Sequence, residues 1–159
     1  MGLKDKLVRN IHELPMEELS RSPLYRSRMA GVSEGTAATQ LGCGYDIVPP
    51  GMRSCPYHFH WAQEEMFVIL EGEGTLRVAE EHIPVKGGDV LFIPAGPGYP
   101  HHLINTGLRD LKYLSISTQQ KPEVCEYPDS GKVGVFPPAG GQSLIQRRSE
   151  SLDYWDGEP

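Results

Sequence analysis

The feature that most constrains this chain is its punctuation. Eighteen glycines and 14 prolines are spread through 159 residues and cut the apolar text into short runs. That spacing excludes long helical repeats and calls for many short elements joined by tight turns. Met66-Phe67-Val68-Ile69-Leu70 is bounded by Glu71-Gly72-Glu73-Gly74, and Val90-Leu91-Phe92-Ile93 by Gly87-Gly88-Asp89 and Pro94-Ala95-Gly96. Both read as strands covered on both faces. Residues 40–48, stopped by Pro49-Pro50-Gly51, and 111–118 read as further strands. Residues 75–79 read as the partner of 66–70 across a hairpin turn at Gly72. Together they predict an all-β chain, an antiparallel sandwich or barrel.

The flanks differ from this middle. Residues 1–35 form a polar arm with the only helix-like text, Pro15-Met16-Glu17-Glu18-Leu19, predicted as a turn or two with Pro15 at the first helical position. The barrel is expected over 36–120, and 121–159 is a C-terminal extension packing on it. Pro128-Asp129-Ser130-Gly131 signals a turn, and 137–141 a loop. Tyr154 and Trp155 sit in a polar tail and are predicted to anchor it onto the body, because exposed aromatic surface is costly. A lid or a subunit contact is the alternative.

The net charge of −6 gives no basic face, so no nucleic-acid partner is expected. No apolar run reaches the ~18–20 residues of a membrane span. The opening Met1-Gly2-Leu3-Lys4-Asp5-Lys6 leads into no apolar h-region, which predicts a soluble, cytoplasmic protein without a secretory signal. Three cysteines without CxxC spacing support neither a disulfide framework nor a thiolate zinc site. Cys43 and Cys55 read as ordinary residues, and Cys125 carries no signal.

Chemistry concentrates on histidine. His58-Phe59-His60 places two imidazoles on one face of a strand. Glu65 opens the next apolar strand, sharing a face with Phe67 and Ile69, and a carboxylate there must be paired, protonated or on a metal. Two His and a carboxylate suit divalent Fe, and also Mn, Ni, Co or Zn. His101 and His102 point to opposite faces, so one of them is the fourth candidate. His12 and His82 fall outside the constellation and read as surface residues. Expected inward residues are Tyr45, Phe67, Ile69, Phe92, Leu103, Tyr113, Ser115 and Ser117. Tyr99 is placed to overhang the mouth, and Arg53 to pair with an anionic substrate. Arg53, Tyr99 and Tyr113 are therefore the substrate-binding candidates.

The spacing resembles two motifs of the cupin superfamily. Gly51-x6-His58-x-His60-x4-Glu65-x6-Gly72 is similar to the first, with one extra residue before His58. Gly88-x5-Pro94-x-Gly96-x4-His101-x3-Asn105 is similar to the second, with two extra residues before His101. The text looks closest to bacterial single-domain cupins, a group often described as sugar-phosphate isomerases without a settled reaction. The resemblance implies a double-stranded β-helix, a jelly-roll barrel. It implies one divalent transition metal (Zn, Mn, Fe or Ni) on His58, His60, Glu65 and His101, the spacing to Asn105 favouring His101 over His102. It implies a small-molecule substrate and, for the reaction, a metal-dependent isomerase or epimerase of a sugar phosphate or similar oxygen-rich molecule. An Fe(II)-dependent dioxygenase and a non-catalytic metal- or ligand-binding module are the alternatives. Jelly-roll barrels leave edge strands to cover, so a homodimer paired through the N-terminal arm or an edge strand is expected.

Overall fold

The computed structural model describes residues 2–138 and 141–159. A short helix, α1 (Leu3–Leu7), precedes strands β1 (Glu17–Arg21), β2 (Tyr25–Gly31), β3 (Leu41–Val48), β4 (Phe59–His60), β5 (Glu65–Glu71) and β6 (Glu73–Val78). The chain continues through β7 (Glu81–Lys86), β8 (Val90–Ile93), β9 (His101–Ile104), β10 (Leu111–Thr118), β11 (Glu123–Tyr127), β12 (Lys132–Phe136) and β13 (Leu144–Arg147). One sheet runs β1-β2-β3-β10-β5-β8, a second β7-β6-β9, and a third β13-β12-β11-β4. Neighbouring strands are antiparallel. The first two sheets enclose the core: Val48, Phe67, Ile69, Leu91, Ile93, Leu111 and Tyr113 on one side, Leu76, Val85 and Leu103 on the other. This is the predicted jelly roll. Among the described residues no helix is long and apolar enough to cross a membrane.

Five local expectations are corrected. The text at Pro15–Leu19 does not form a helix: Glu17–Arg21 is β1, paired along its length with β2. A helix of one or two turns is unstable alone in water, whereas β2 offers a ladder of hydrogen bonds. The Gly72 turn is not a hairpin. β5 pairs with β10 and β8, while β6 pairs with β7 and β9, so Gly72 is a corner between sheets. Its φ is +87°, and a Cβ there would meet the Asp110 carbonyl oxygen, which is why the corner needs glycine. The hairpin lies at Ala79-Glu80, between β6 and β7.

The strands at 65–71 and 90–93 are covered on one face rather than two: Phe67, Ile69, Leu91 and Ile93 are buried, while Leu70 and Val90 are exposed. Phe92 is 73% exposed because it alternates with the buried Leu91 and Ile93 and so lies on the outer face of β8. Tyr45, also expected inside the barrel, lies on the face of β3 opposite Asp46 and is covered by the edge of the His12 ring. The tail aromatics do not anchor: Tyr154 is 84% and Trp155 70% exposed, and they pack edge to face on each other. The turn at Pro128–Gly131 joins β11 to β12 as expected. The loop expected over 137–141 includes residues 139 and 140, which lie outside the described residues.

Asn105 ties the barrel end together. It is fully buried, donates Nδ2 to the carbonyls of Val48 (2.7 Å) and Arg109 (2.8 Å), and accepts the Gly107 N–H (3.0 Å). Every hydrogen-bonding group of its amide is satisfied without water, which fixes the end of β9 against β3.

Candidate metal centre

β4 is only two residues long, yet its alternation sets the site. Phe59 turns into the protein and packs edge-on to Trp61 (5.5 Å between centroids), so His58 and His60 turn the other way. Their rings lie 4.9 Å apart, with the two Nε2 atoms 3.1 Å apart. Two backbone hydrogen bonds, His58 N–H to His101 O (3.1 Å) and His101 N–H to His58 O (2.7 Å), lock β9 beside them. Glu65 Oε2 then lies 2.7 Å from His101 Nε2, 3.4 Å from His60 Nε2 and 4.0 Å from His58 Nε2. His58, His60 and Glu65 offer donor atoms within 4.8 Å of one another, and His101 joins them through Glu65.

The four residues singled out from sequence therefore converge, and the other ring nitrogens explain the orientation. His58 Nδ1–H donates to the Pro56 carbonyl (2.9 Å) and His101 Nδ1–H to that of Tyr99 (3.0 Å). His60 Nδ1 faces Cys125 Sγ at 3.2 Å, with Glu123 Oε1 at 3.7 Å. With a metal bound, protons kept on Nδ1 would leave three Nε2 lone pairs for it, in place of the Nε2–H bonds that His101 and His60 now give Glu65. This donor set fits a divalent transition metal, with a net +1 charge when the imidazoles are neutral.

The electrostatics are those of a largely buried cluster. Burial, then repulsion from His101, lowers His58 to about 4, so its ring is neutral at pH 7. Burial pulls His60 down, but Cys125 and Glu65 outweigh it and carry it up to about 10. Burial pushes the Glu65 carboxyl up, yet hydrogen bonds with His101 and His60 win and hold it well below the usual range. His102 points away from this cluster, edge-on to Tyr57 at 5.4 Å. Burial, then the Arg53 and Arg77 guanidinium groups, lowers it to about 4. That settles which of the two adjacent histidines faces Glu65.

A cavity of about 300 Å³ opens on the cluster, lined by His58, His60, Gln63, Lys121, Tyr127 and Phe136 among others. The substrate-binding candidates sit around it rather than on its lining. Tyr113 is buried in the core, its hydroxyl 2.6 Å from Ser54 Oγ and its ring edge-on to Phe67, which in turn packs on His101. Tyr99 contributes its carbonyl to His101 while its side chain is exposed. Arg53 lies over the Tyr25 ring, 5.9 Å from its centroid, beside His102. A larger cavity, about 470 Å³, is lined by residues of β6 and β7 with Thr106 and Gly107, and holds no histidine or cysteine.

Sequence reasoning missed one wall. Glu123, Cys125 and Tyr127 alternate along β11 and all line the cavity, Tyr127 stacking on His58 at 6.1 Å. Their period of two was visible. Lys121 is on the cavity lining, whereas Arg53 is not.

A family model, the cupin domain, matches residues 44–117. The chain is 32% identical over 133 residues to auxin-binding protein 1 of Arabidopsis thaliana, covering 77% of this chain and 64% of that protein. It is 33% identical over 134 residues to auxin-binding protein T92 of Nicotiana tabacum, covering 77% of this chain and 69% of that one. Among solved structures, a proposed sugar phosphate isomerase from Acidithiobacillus ferrooxidans superposes with a TM-score of 0.83 at 21% identity, covering 96% of this chain and 98% of that one. A sugar phosphate isomerase from Silicibacter pomeroyi superposes at 0.78 and 20% identity, covering 92% and 96%. The chain belongs to the cupin superfamily. Within it, the architecture of the two superposed structures extends over the flanking arms as well as the barrel.

Proposed function

We propose that this cupin is a metal-dependent isomerase or epimerase acting on a sugar phosphate or a similar small, oxygen-rich substrate. The observation that carries the reading is the His58, His60, Glu65 and His101 donor set, of which His58 and His60 line a cavity of about 300 Å³ with one ammonium, Lys121, on its lining. Bound there, a divalent ion (Zn, Mn, Fe or Ni) supplies Lewis-acid polarisation of adjacent substrate oxygens.

The chain supplies the rest. Lys121, which also lies 5.4 Å from the Phe136 ring centroid, pairs with the phosphate. Burial raises Tyr127, so its hydroxyl stays protonated and donates to a substrate oxygen. Glu65 Oε2 is held by His101 and His60, while Oε1 accepts no hydrogen bond among the described residues. Oε1 is thus the atom that takes a proton from one carbon and returns it to the next. The names of the two superposed isomerases support the substrate class.

The test is solvent exchange. Metal-reconstituted protein in D2O should place deuterium on the carbon beside the carbonyl of one member of an aldose- and ketose-phosphate panel, followed by NMR. Lys121→Ala should raise KM more than it lowers kcat. No exchange with any member overturns the reading.

A second reading, a ligand-binding module without turnover, is favoured by the scarcity of bases on the cavity. Burial and then Glu65 push the Cys55 thiol up to about 12, and Glu123 is engaged by backbone N–H groups. Glu65 itself is a weak base while its pKa is held low. The auxin-binding relatives are named for binding. Ligand-induced stabilisation without exchange supports it.

We also propose that the chain pairs as a homodimer through the β8 edge, where Val90 and Phe92 are exposed beside the half-buried Met66 and Val68.

A further inference from the structure

Two of the three converging histidines are held by backbone. Pro56 and Tyr99 offer carbonyls that any side chain at those positions would also offer. His60 is the exception, since its Nδ1 meets only side chains of β11: Cys125 Sγ at 3.2 Å and Glu123 Oε1 at 3.7 Å. The contact is set by register, because Cys125 is the Cα partner of His60 across the β11–β4 pair.

Glu123 is unusual in itself. It is 2% exposed, and a buried carboxylate is tolerated only with strong partners. Oε1 accepts the Trp61 N–H (2.9 Å) and Oε2 the Ala62 N–H (3.2 Å). Among the described residues, the one side chain paired with it is His60, Nδ1 to Oε1. Those two backbone bonds need an acceptor but not a charge, and Glu126, on the other face of β11, separately ties the strand to Trp61 Nε1 (2.9 Å) and to Arg148.

We propose that Glu123 and Cys125 are positioning residues: the inner face of β11 holds the Nδ1 proton of His60, turns its Nε2 toward Glu65, and thereby sets the affinity of the site for its metal. This rests on the metal reading of the cluster. A metal on Nε2 requires the proton on Nδ1, and a thiol sulfur backed by a buried carboxylate both fixes that tautomer and makes the ring a stronger donor. Both residues lie beyond the 44–117 match to the cupin domain, so the C-terminal extension completes a site that the barrel begins.

The experiment measures Zn²⁺ affinity by competition with a chromophoric chelator, and the absorption spectrum of the Co²⁺-loaded protein, on the full chain. Glu123→Gln keeps size and acceptor but removes charge, and should weaken Zn²⁺ binding about 10–100-fold. Cys125→Ala should weaken it similarly, Cys125→Ser should recover most of the loss, and the Co²⁺ bands should shift in the first two. Glu126→Gln, on the outer face, should bind as the wild type does. Should Glu123→Gln fail to fold, the alanine and serine pair at Cys125 carries the test alone. Wild-type affinity and spectrum in Glu123→Gln and Cys125→Ala, with metal still lost in His58→Ala/His60→Ala, would overturn the positioning role and leave the metal reading standing. Zn²⁺ binding that survives His58→Ala/His60→Ala would overturn both.

Discussion

Asp46 gives the barrel interior a measurable pH signature. Its carboxyl is 5% exposed and lies on the Tyr113 side of β3. Ser115 Oγ donates to it at 3.2 Å. Burial raises its pKa from 3.8 to about 6, with Ser115 pulling the other way. A carboxyl whose folded value exceeds its unfolded value favours the fold when protonated. That contribution is complete below about 3.8 and is lost as pH rises through about 6. Well above pH 6 the ionised group therefore costs the fold about 3 kcal/mol, at roughly 1.4 kcal/mol for each tenfold change in the proton equilibrium. Asp46→Asn removes the titration and keeps an acceptor for Ser115. Urea unfolding of both chains in chelator, at pH 8 and pH 4, reads the difference. The histidine cluster titrates in both chains and cancels. The advantage of the variant should shrink by about 2 kcal/mol on going from pH 8 to pH 4. A difference in stability that is the same at both pH values would refute the claim that burial governs this group.

Three further outcomes follow from the same geometry. His58→Ala/His60→Ala should abolish stoichiometric metal in protein purified without a His-tag or nickel column, checked by elemental analysis; retained metal would place the site elsewhere. Gly72→Ala should lose about 2 kcal/mol or more in chemical denaturation, because φ is +87° and the new Cβ meets the Asp110 carbonyl. Phe92→Asp should convert a dimer to a monomer by light scattering without lowering the unfolding midpoint of the monomer, since Phe92 is exposed in the single chain. A wild-type monomer would remove the proposed pairing.

The barrel was legible because its signals are local. Gly87-Gly88-Asp89 and Pro94 bracket β8 to the residue, and residues 111–118 form β10 from end to end. What failed was pairing across distance. Nothing in Glu71-Gly72-Glu73 distinguishes a hairpin from a corner between sheets, since both need positive φ. The difference is made by Asp110, 38 residues on, whose carbonyl closes over Gly72. Likewise Pro15–Leu19 has a helical start, and only the presence of β2 turns it into strand.

The same limit divides the site. His58 and His60 share one face by period-two alternation alone, whereas Glu65 follows within eight residues on β5, in another sheet, and meets them through the fold. His101 could be chosen over His102 because its three-residue spacing to Asn105 matches the second cupin motif. Glu123, Cys125 and Tyr127 also alternate, but polar residues at period two ordinarily mark the solvent face of an antiparallel strand. Sequence supplies the period and leaves the side open. The side is chosen when β11 pairs with β4, which sets Cys125 opposite His60 and encloses a charge that local reading assigns to water. A buried carboxylate in that position is explained by what it holds. Its removal should accordingly register in the behaviour of His60 rather than in that of β11.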